Sequence, residues 1–94
     1  MPIKSTATTG KLTSAQIRAG RALNRWSAAD LARDARLGLA TIRRAEIADG
    51  RTSMTVANEL AVRRALEAAG VEFIDENSDG GPGVRLRKWP NKSK

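Results

Sequence analysis

The stretch ARLGLATIRRAE, residues 35–46, decides the fold of this 94-residue chain. It joins two alanine- and arginine-rich segments, each of which would form a good helix, through a short run that contains Gly38. Ser27 is a favoured N-cap for the first segment, and Asp30, three residues later, supplies the acidic partner of a capping box. The sequence therefore predicts two short helices in place of one long one, over residues 28–35 and 39–48.

A further helix precedes this pair. Thr13 or Ser14 is a good N-cap for the segment AQIRAGRALNRW, residues 15–26. Gly20, in its interior, costs about 1 kcal/mol relative to alanine and therefore indicates a close contact with another helix. The expected buried anchors of this helix are Ile17, Leu23 and Trp26.

A fourth helix is predicted for TVANELAVRRALEAA, residues 55–69, with Ser53 or Thr55 as its cap. Glycines are placed to end two of the helices, Gly50 as the C′ residue of the third and Gly70 as the stop of the fourth. The apolar stripe of the fourth helix is Val62, Leu66 and Ala69.

After the fourth helix the apolar period changes to two, which is typical of strands. Val71 and Phe73 flank an acid, and after the turn-rich segment NSDGGPG the residues Val84 and Leu86 alternate with arginines. The pattern predicts a β-hairpin within residues 71–89. Because a lone two-stranded hairpin is marginal in water, it must pack on the helices or pair with another chain.

Composition restricts the chemistry. Seventeen Lys and Arg against ten Asp and Glu give a net charge of +7, which is the electrostatic footprint of a nucleic-acid-binding domain. The chain has no cysteine and no histidine, so it has no thiolate, zinc-finger ligand set or imidazole base. A domain this small also has little room to enclose a substrate. We therefore expect no enzyme activity and no cofactor.

The ends of the chain lack apolar periodicity. Residues 1–11 are expected to form a flexible lead and residues 90–94 a basic, disordered tail, around a compact domain at residues 12–70 followed by the hairpin. No apolar run is long enough for a secretory signal or a membrane span, so a soluble, cytoplasmic protein without membrane contact is expected.

The two central helices match a helix-turn-helix. In that arrangement Leu37 is the apolar residue that fixes the angle between the helices, and Ile42 and Ala45 form the buried face of the second one. Its exposed arginines can reach guanine edges or phosphates of double-stranded DNA, and the free N–H groups of its first turn can meet a phosphate. The residues left toward solvent are Leu39, Ala40, Thr41, Arg43 and Arg44.

Residues 15–70 resemble the Xre/Cro-repressor family of helix-turn-helix domains. The motifs that carry the resemblance are QIRAGRAL, WSAADLARDA, LATIRRAE and LEAAGVEFIDEN, which are specific jointly and weak singly. The resemblance implies a mainly α fold of four to five helices, here with a C-terminal β-hairpin, and a homodimer on palindromic operators. It also implies an ion pair between Arg21 and Glu46. Arg36 stands where the family often has the turn glycine.

The family's contact positions carry over residue by residue. The matching implies base reading by Leu39, Ala40 and Arg44, with Thr41 and Arg43 nearer the DNA backbone. Ser27 and Ala28 would face a phosphate through backbone N–H groups, and Arg51 would add a further phosphate contact.

Three functions remain open at this point. A DNA-binding regulator, most simply a repressor, is the first. A helix-turn-helix module that binds another regulator, as an antiactivator, is the second, because Leu39 and Ala40 make the opening of the third helix apolar. An antitoxin is a variant of the first. The expected dimer surface is the fourth helix with the hairpin, since the strand after Pro82 has an unpaired edge.

Overall fold

The computed structural model describes residues 11–48, 50–52 and 54–87. This part of the chain is mainly helical, with four helices followed by a two-stranded antiparallel hairpin, as the sequence predicts. Residues 1–10 of the expected lead, the alternative cap Ser53 and the basic tail lie outside the described residues. The elements are α1 (Ser14–Leu23), α2 (Ala28–Ala35), α3 (Leu39–Ile47), α4 (Val56–Ala68), β1 (Val71–Ile74) and β2 (Gly83–Leu86).

Helix α1 begins as predicted but ends earlier. Thr13 caps it, accepting a hydrogen bond from the backbone N–H of Gln16, whose side chain in turn accepts from the backbone of Thr13. The prediction that the helix reaches residue 26 is wrong, because Arg25 adopts a left-handed conformation with φ of 58° and turns the chain. Leu23, expected to be buried, is therefore 38% exposed at the helix end, whereas Trp26 still packs against the core.

Helix α2 and the turn after it follow local rules. Ser27 and Asp30 form the predicted capping box. The C-cap, Arg36, is left-handed (φ 59°, ψ 43°), and the N–H of Leu37 then donates to the carbonyl of Ala32 at 2.9 Å. Gly38 is the N-cap of α3 and makes no side-chain capping bond. The turn is thus built with an arginine at a position that favours glycine.

Replacing Arg36 with glycine is expected to raise the free energy of unfolding by about 0.5–1 kcal/mol. A side chain in the left-handed region carries steric strain of about 1–2 kcal/mol, which glycine removes, and the greater entropy of unfolded glycine offsets part of the gain. Urea denaturation measures the change. Arg33→Gly, at an exposed position inside α2, is the control and should lower stability by about 1 kcal/mol. A similar fall in the free energy of unfolding in both variants would contradict the argument that Arg36 is strained.

Helices α3 and α4 are connected by a segment that packs back on the start of α1. Helix α3 ends at Ile47, and Gly50 is not the predicted C′ residue, because it lies two residues beyond the extended C-cap, Ala48. The carbonyl of Gly50 instead accepts a hydrogen bond from the N–H of Ser14 at 2.9 Å. Thr55 caps α4 as predicted.

All four helices and the hairpin contribute to one apolar core. Gly20 marks a close contact, as predicted: a Cβ at this position would lie 3.3 Å from Cδ1 of Leu66 and 3.6 Å from Cγ1 of Val71. The buried apolar side chains are Leu12, Ile17, Leu31, Ala32, Ala35, Ile42, Ala45, Met54, Val62, Leu66, Val71 and Phe73.

The hairpin lies against α1 and α4. Val71 pairs with Leu86 and Phe73 with Val84, so the apolar residues of both strands share the face toward the helices. The side-chain amide of Gln16 in α1 donates to the carbonyls of Ile74 and Gly83 at 3.3 and 3.0 Å. These bonds tie the loop end of the hairpin to the first helix.

Within the described residues, no helix combines the length and the apolar character needed to cross a bilayer.

Candidate functional site

Helix α3 has one buried face and one exposed face. Ile42 and Ala45 are buried in the core, as the helical period predicts. The opposite side is exposed at Arg43 and Arg44, and Leu39, at the first turn, is 37% exposed. Ala40 is exposed as well and Thr41 is half-buried. The structure therefore brings the five predicted residues of this helix to its solvent side.

Among the described residues, nothing holds the guanidinium groups of Arg43 and Arg44. Within residues 11–48, 50–52 and 54–87, neither forms an ion pair or a side-chain hydrogen bond. Acids of the hairpin are engaged by other arginines: Glu72 contacts Arg85 at 2.8 Å, and Glu76 contacts Arg51 at 3.2 Å. Two cations thus remain available on the exposed face of α3.

An open groove runs beside this face, between α3 and the start of α4. Its volume is about 190 Å³, which is small compared with the roughly 300 Å³ or more of a small-molecule pocket. Sequence reasoning did not find this groove, because its two walls belong to different elements and only tertiary packing sets the space between them. The lining residues are Thr41, Arg44, Ala45, Met54, Thr55 and Asn58.

The N-terminus of α2 is partly occupied by the protein's own carboxylate. The N–H of Ser27, predicted to face a phosphate, donates to Oδ2 of Asp30 at 2.9 Å. This backbone hydrogen bond is the main cause that lowers the pKa of Asp30, and Arg33 adds to it. Ala28 is half-buried and packs against the core. Of the two predicted N–H groups, the one on Ser27 is already used within the chain.

The ion pair implied by the family resemblance is present in the structure. Nε and Nη2 of Arg21 contact the two carboxylate oxygens of Glu46 at 2.6 and 2.8 Å, and Nη1 donates to the carbonyl of Trp26 at 2.9 Å. The hydrogen bond to Glu46 raises the pKa of the Arg21 guanidinium above its ordinary value. Arg18 donates to the backbone carbonyl of Glu46. These contacts join α1 to the C-terminal turn of α3 and so fix how α3 sits on the domain.

Arg51 is held by the protein itself. Its guanidinium donates to the carbonyl of Lys11 and forms the ion pair with Glu76. The backbone of Arg51 forms an isolated bridge with Thr13. Its phosphate contact stays a prediction, and binding a phosphate would compete with the Glu76 carboxylate.

The arrangement offers positive charge and hydrogen-bond donors. Within the described parts of the chain, no group of three or more acidic side chains could hold a metal ion. The exposed face of α3 can recognise a polyanion through its two guanidinium groups, and it presents apolar surface at Leu39.

No protein-family model, no curated protein and no solved structure matches this chain.

Proposed function

We propose that this protein is a DNA-binding transcriptional regulator, most simply a repressor, of the Xre/Cro helix-turn-helix type. In this proposal α3 enters the major groove of double-stranded DNA, and the protein acts as a homodimer. The single observation that carries the proposal is the exposed face of α3, on which Arg43 and Arg44 have no acidic partner among the described residues. An arginine that is not neutralised internally is free to bind guanine bidentately or to contact phosphates.

The geometry around α3 supports this function. Helices α2 and α3 are separate elements, divided by Arg36–Gly38, so α3 is short and can present its own first turn to a groove roughly 12 Å wide. The first turn carries Leu39 and Ala40, which are small or apolar enough for close approach and can contact a thymine methyl group. Arg44, one turn later, borders the protein's own surface groove between α3 and α4.

A second candidate is a protein-interaction module that binds another regulator. The exposed leucine at the start of α3 favours it, because an apolar side chain in an exposed helix turn also suits a protein surface. The two candidates differ in the role of Arg44, because only DNA recognition requires its guanidinium group to contact a base.

Replacing Arg44 with alanine is expected to weaken binding to the selected operator by about 1–3 kcal/mol, roughly 5- to 150-fold, and to relax specificity at one base pair. The operator is first selected from a random duplex library, and affinity is then measured by fluorescence anisotropy at several salt concentrations. A bidentate arginine discriminates its base, so the loss should be large on the operator and small on unrelated DNA.

Arg64→Ala is the matched control. It removes the same charge from an exposed position of α4, and it should change affinity only slightly and equally for all sequences. Equal binding by wild type and Arg44→Ala would contradict the proposal. No DNA binding even at low salt, together with a purified regulator captured through Leu39, would favour the second candidate.

A further inference from the structure

The guanidinium group of Arg51 has two different partners. Its Nη1 donates to the backbone carbonyl of Lys11, in the segment that precedes α1, and its Nη2 contacts Oε2 of Glu76 at 3.2 Å. The neighbouring backbone is fixed as well, because the N–H of Thr52 donates to the carbonyl of Leu12 at 3.1 Å. The guanidinium group therefore keeps one anchor when the contact with Glu76 is broken.

The segment that carries Glu76 is also held in place. Glu76 lies in the hairpin loop, residues 75–82, which connects β1 to β2. The side-chain amide of Gln16 bonds to the backbone at both ends of this loop. Next to Glu76, the backbones of Asn77 and Gly80 bond to each other at 2.9 and 3.3 Å. The loop thus presents the Glu76 carboxylate to Arg51 from a fixed base.

The contact between Arg51 and Glu76 is exposed and can be exchanged. The two side chains are 46% and 59% exposed, and solvent screens an ion pair of this kind, so that the pair is weak and opens readily. A guanidinium group binds carboxylate and phosphate oxygens in the same way. Glu76 therefore occupies the position on Nη2 that a phosphate oxygen would take.

We propose that the Glu76 carboxylate is an internal substitute for a DNA phosphate, through which the hairpin loop lowers the affinity of the protein for duplex DNA of any sequence. A phosphate reaches Nη2 of Arg51 only after Glu76 has left it, so affinity is reduced by the fraction of molecules in which the pair is closed. The coupling is reciprocal, and a duplex that occupies Arg51 displaces Glu76.

The inference rests on the proposed function for its ligand, duplex DNA, and goes beyond it by giving the hairpin loop an inhibitory role. Phosphate contacts of Lys and Arg supply most of the affinity for unrelated DNA. In a chain with a net charge of +7, a carboxylate placed on one of these cations limits that affinity. Arg43 and Arg44, in contrast, meet no acid among the described residues.

Affinity for a short duplex unrelated to the operator tests the inference, measured by fluorescence anisotropy at low salt. An exposed ion pair favours its closed form roughly 1.4- to 5-fold. Glu76→Gln should therefore bind the duplex about two- to sixfold more tightly than the matched control Glu72→Gln. The control removes the same charge from the same hairpin, at an exposed pair with Arg85. Equal affinities of the two variants would overturn the inference.

The same substitution made in an Arg51→Ala background separates exchange at Arg51 from a general effect of charge. Glu76→Gln changes the net charge equally in both backgrounds, so the difference between the two gains reports the release of Arg51 alone. The gain should be about two- to sixfold larger when Arg51 is present. The same gain in both backgrounds would show that Glu76 acts only through its charge, and the inference would be wrong.

NMR follows the displacement directly. When the duplex saturates the wild type, the chemical shift of the Glu76 carboxylate carbon should move toward its value in free Arg51→Ala, and an unchanged shift would overturn the inference. Base reading by Arg44 does not enter, because the duplex is unrelated to the operator. A gain that depends on Arg51 supports the inference even if Arg44→Ala binds the operator normally. Absence of that gain, with operator recognition intact, overturns the inference alone.

Discussion

Replacing Glu46 with alanine is expected to lower the free energy of unfolding by about 3 kcal/mol. The carboxylate is 8% exposed and its partner Arg21 is 22% exposed, so the substitution leaves a largely desolvated cation that has lost two of its three hydrogen bonds. Removing one member of a buried pair typically costs about 3–5 kcal/mol, and the partial exposure of Arg21 places this case at the lower end. Urea denaturation at neutral pH measures the loss.

The double variant Arg21→Met/Glu46→Leu is the informative control. It removes both charges together and fills their space with apolar groups, so it should be more stable than the single Glu46→Ala variant. Glu72→Ala, which breaks the exposed pair with Arg85, should have a much smaller effect because solvent screens that pair. A double variant that is no more stable than Glu46→Ala would contradict the burial argument.

Replacing Ile42 with alanine is expected to lower the free energy of unfolding by about 2–5 kcal/mol. Ile42 is fully buried on the inner face of α3, and truncating a buried isoleucine removes apolar contacts and leaves a cavity. The loss is measured by urea or thermal denaturation, followed by circular dichroism of the helices.

Ile47→Ala is a closely matched control, since it makes the same truncation on the same helix at a side chain that is 80% exposed. It should change stability by no more than about 0.5 kcal/mol. Similar losses in the two variants would mean that the inner and outer faces of α3 are assigned wrongly. Arg44→Ala, in contrast, should alter DNA affinity and leave the unfolding transition nearly unchanged. Measuring both quantities therefore separates effects on stability from effects on binding.

Local sequence rules predicted the helices well wherever the deciding residues lie within one turn. Ser27 caps α2 as expected, and Thr13 and Thr55 are the caps used out of the two alternatives predicted for α1 and for α4, because a cap needs only its own side chain and an N–H three residues away. The end of α1 was misjudged because nothing in RALNRW marks Arg25 as left-handed. That conformation is uncommon for arginine and is held by the surrounding structure.

Some features of the candidate site could likewise be predicted from the sequence, and others could not. The exposed set on α3 followed from the helical period once Ile42 and Ala45 were assigned to the core. Whether each hydrogen-bond donor is free or already bonded within the chain could not be predicted in this way. The Ser27 N–H is used by Asp30, a local contact that the capping box already contains. The engagement of Arg51 by Glu76 joins residues 25 positions apart and has no local signal.

The sequence by itself determined the order and type of the elements, the break between α2 and α3, and the charge of the surface, because capping, periodicity and composition act over a few residues. Only the tertiary structure decided which arginines are free. Arg51 is held by Glu76, whereas Arg43 and Arg44 meet no described acid. The pair between Arg21 and Glu46, in contrast, was already implied by the family resemblance. The physical reason is that an ion pair depends on which distant segments the core brings within about 4 Å, and that distance is fixed by packing.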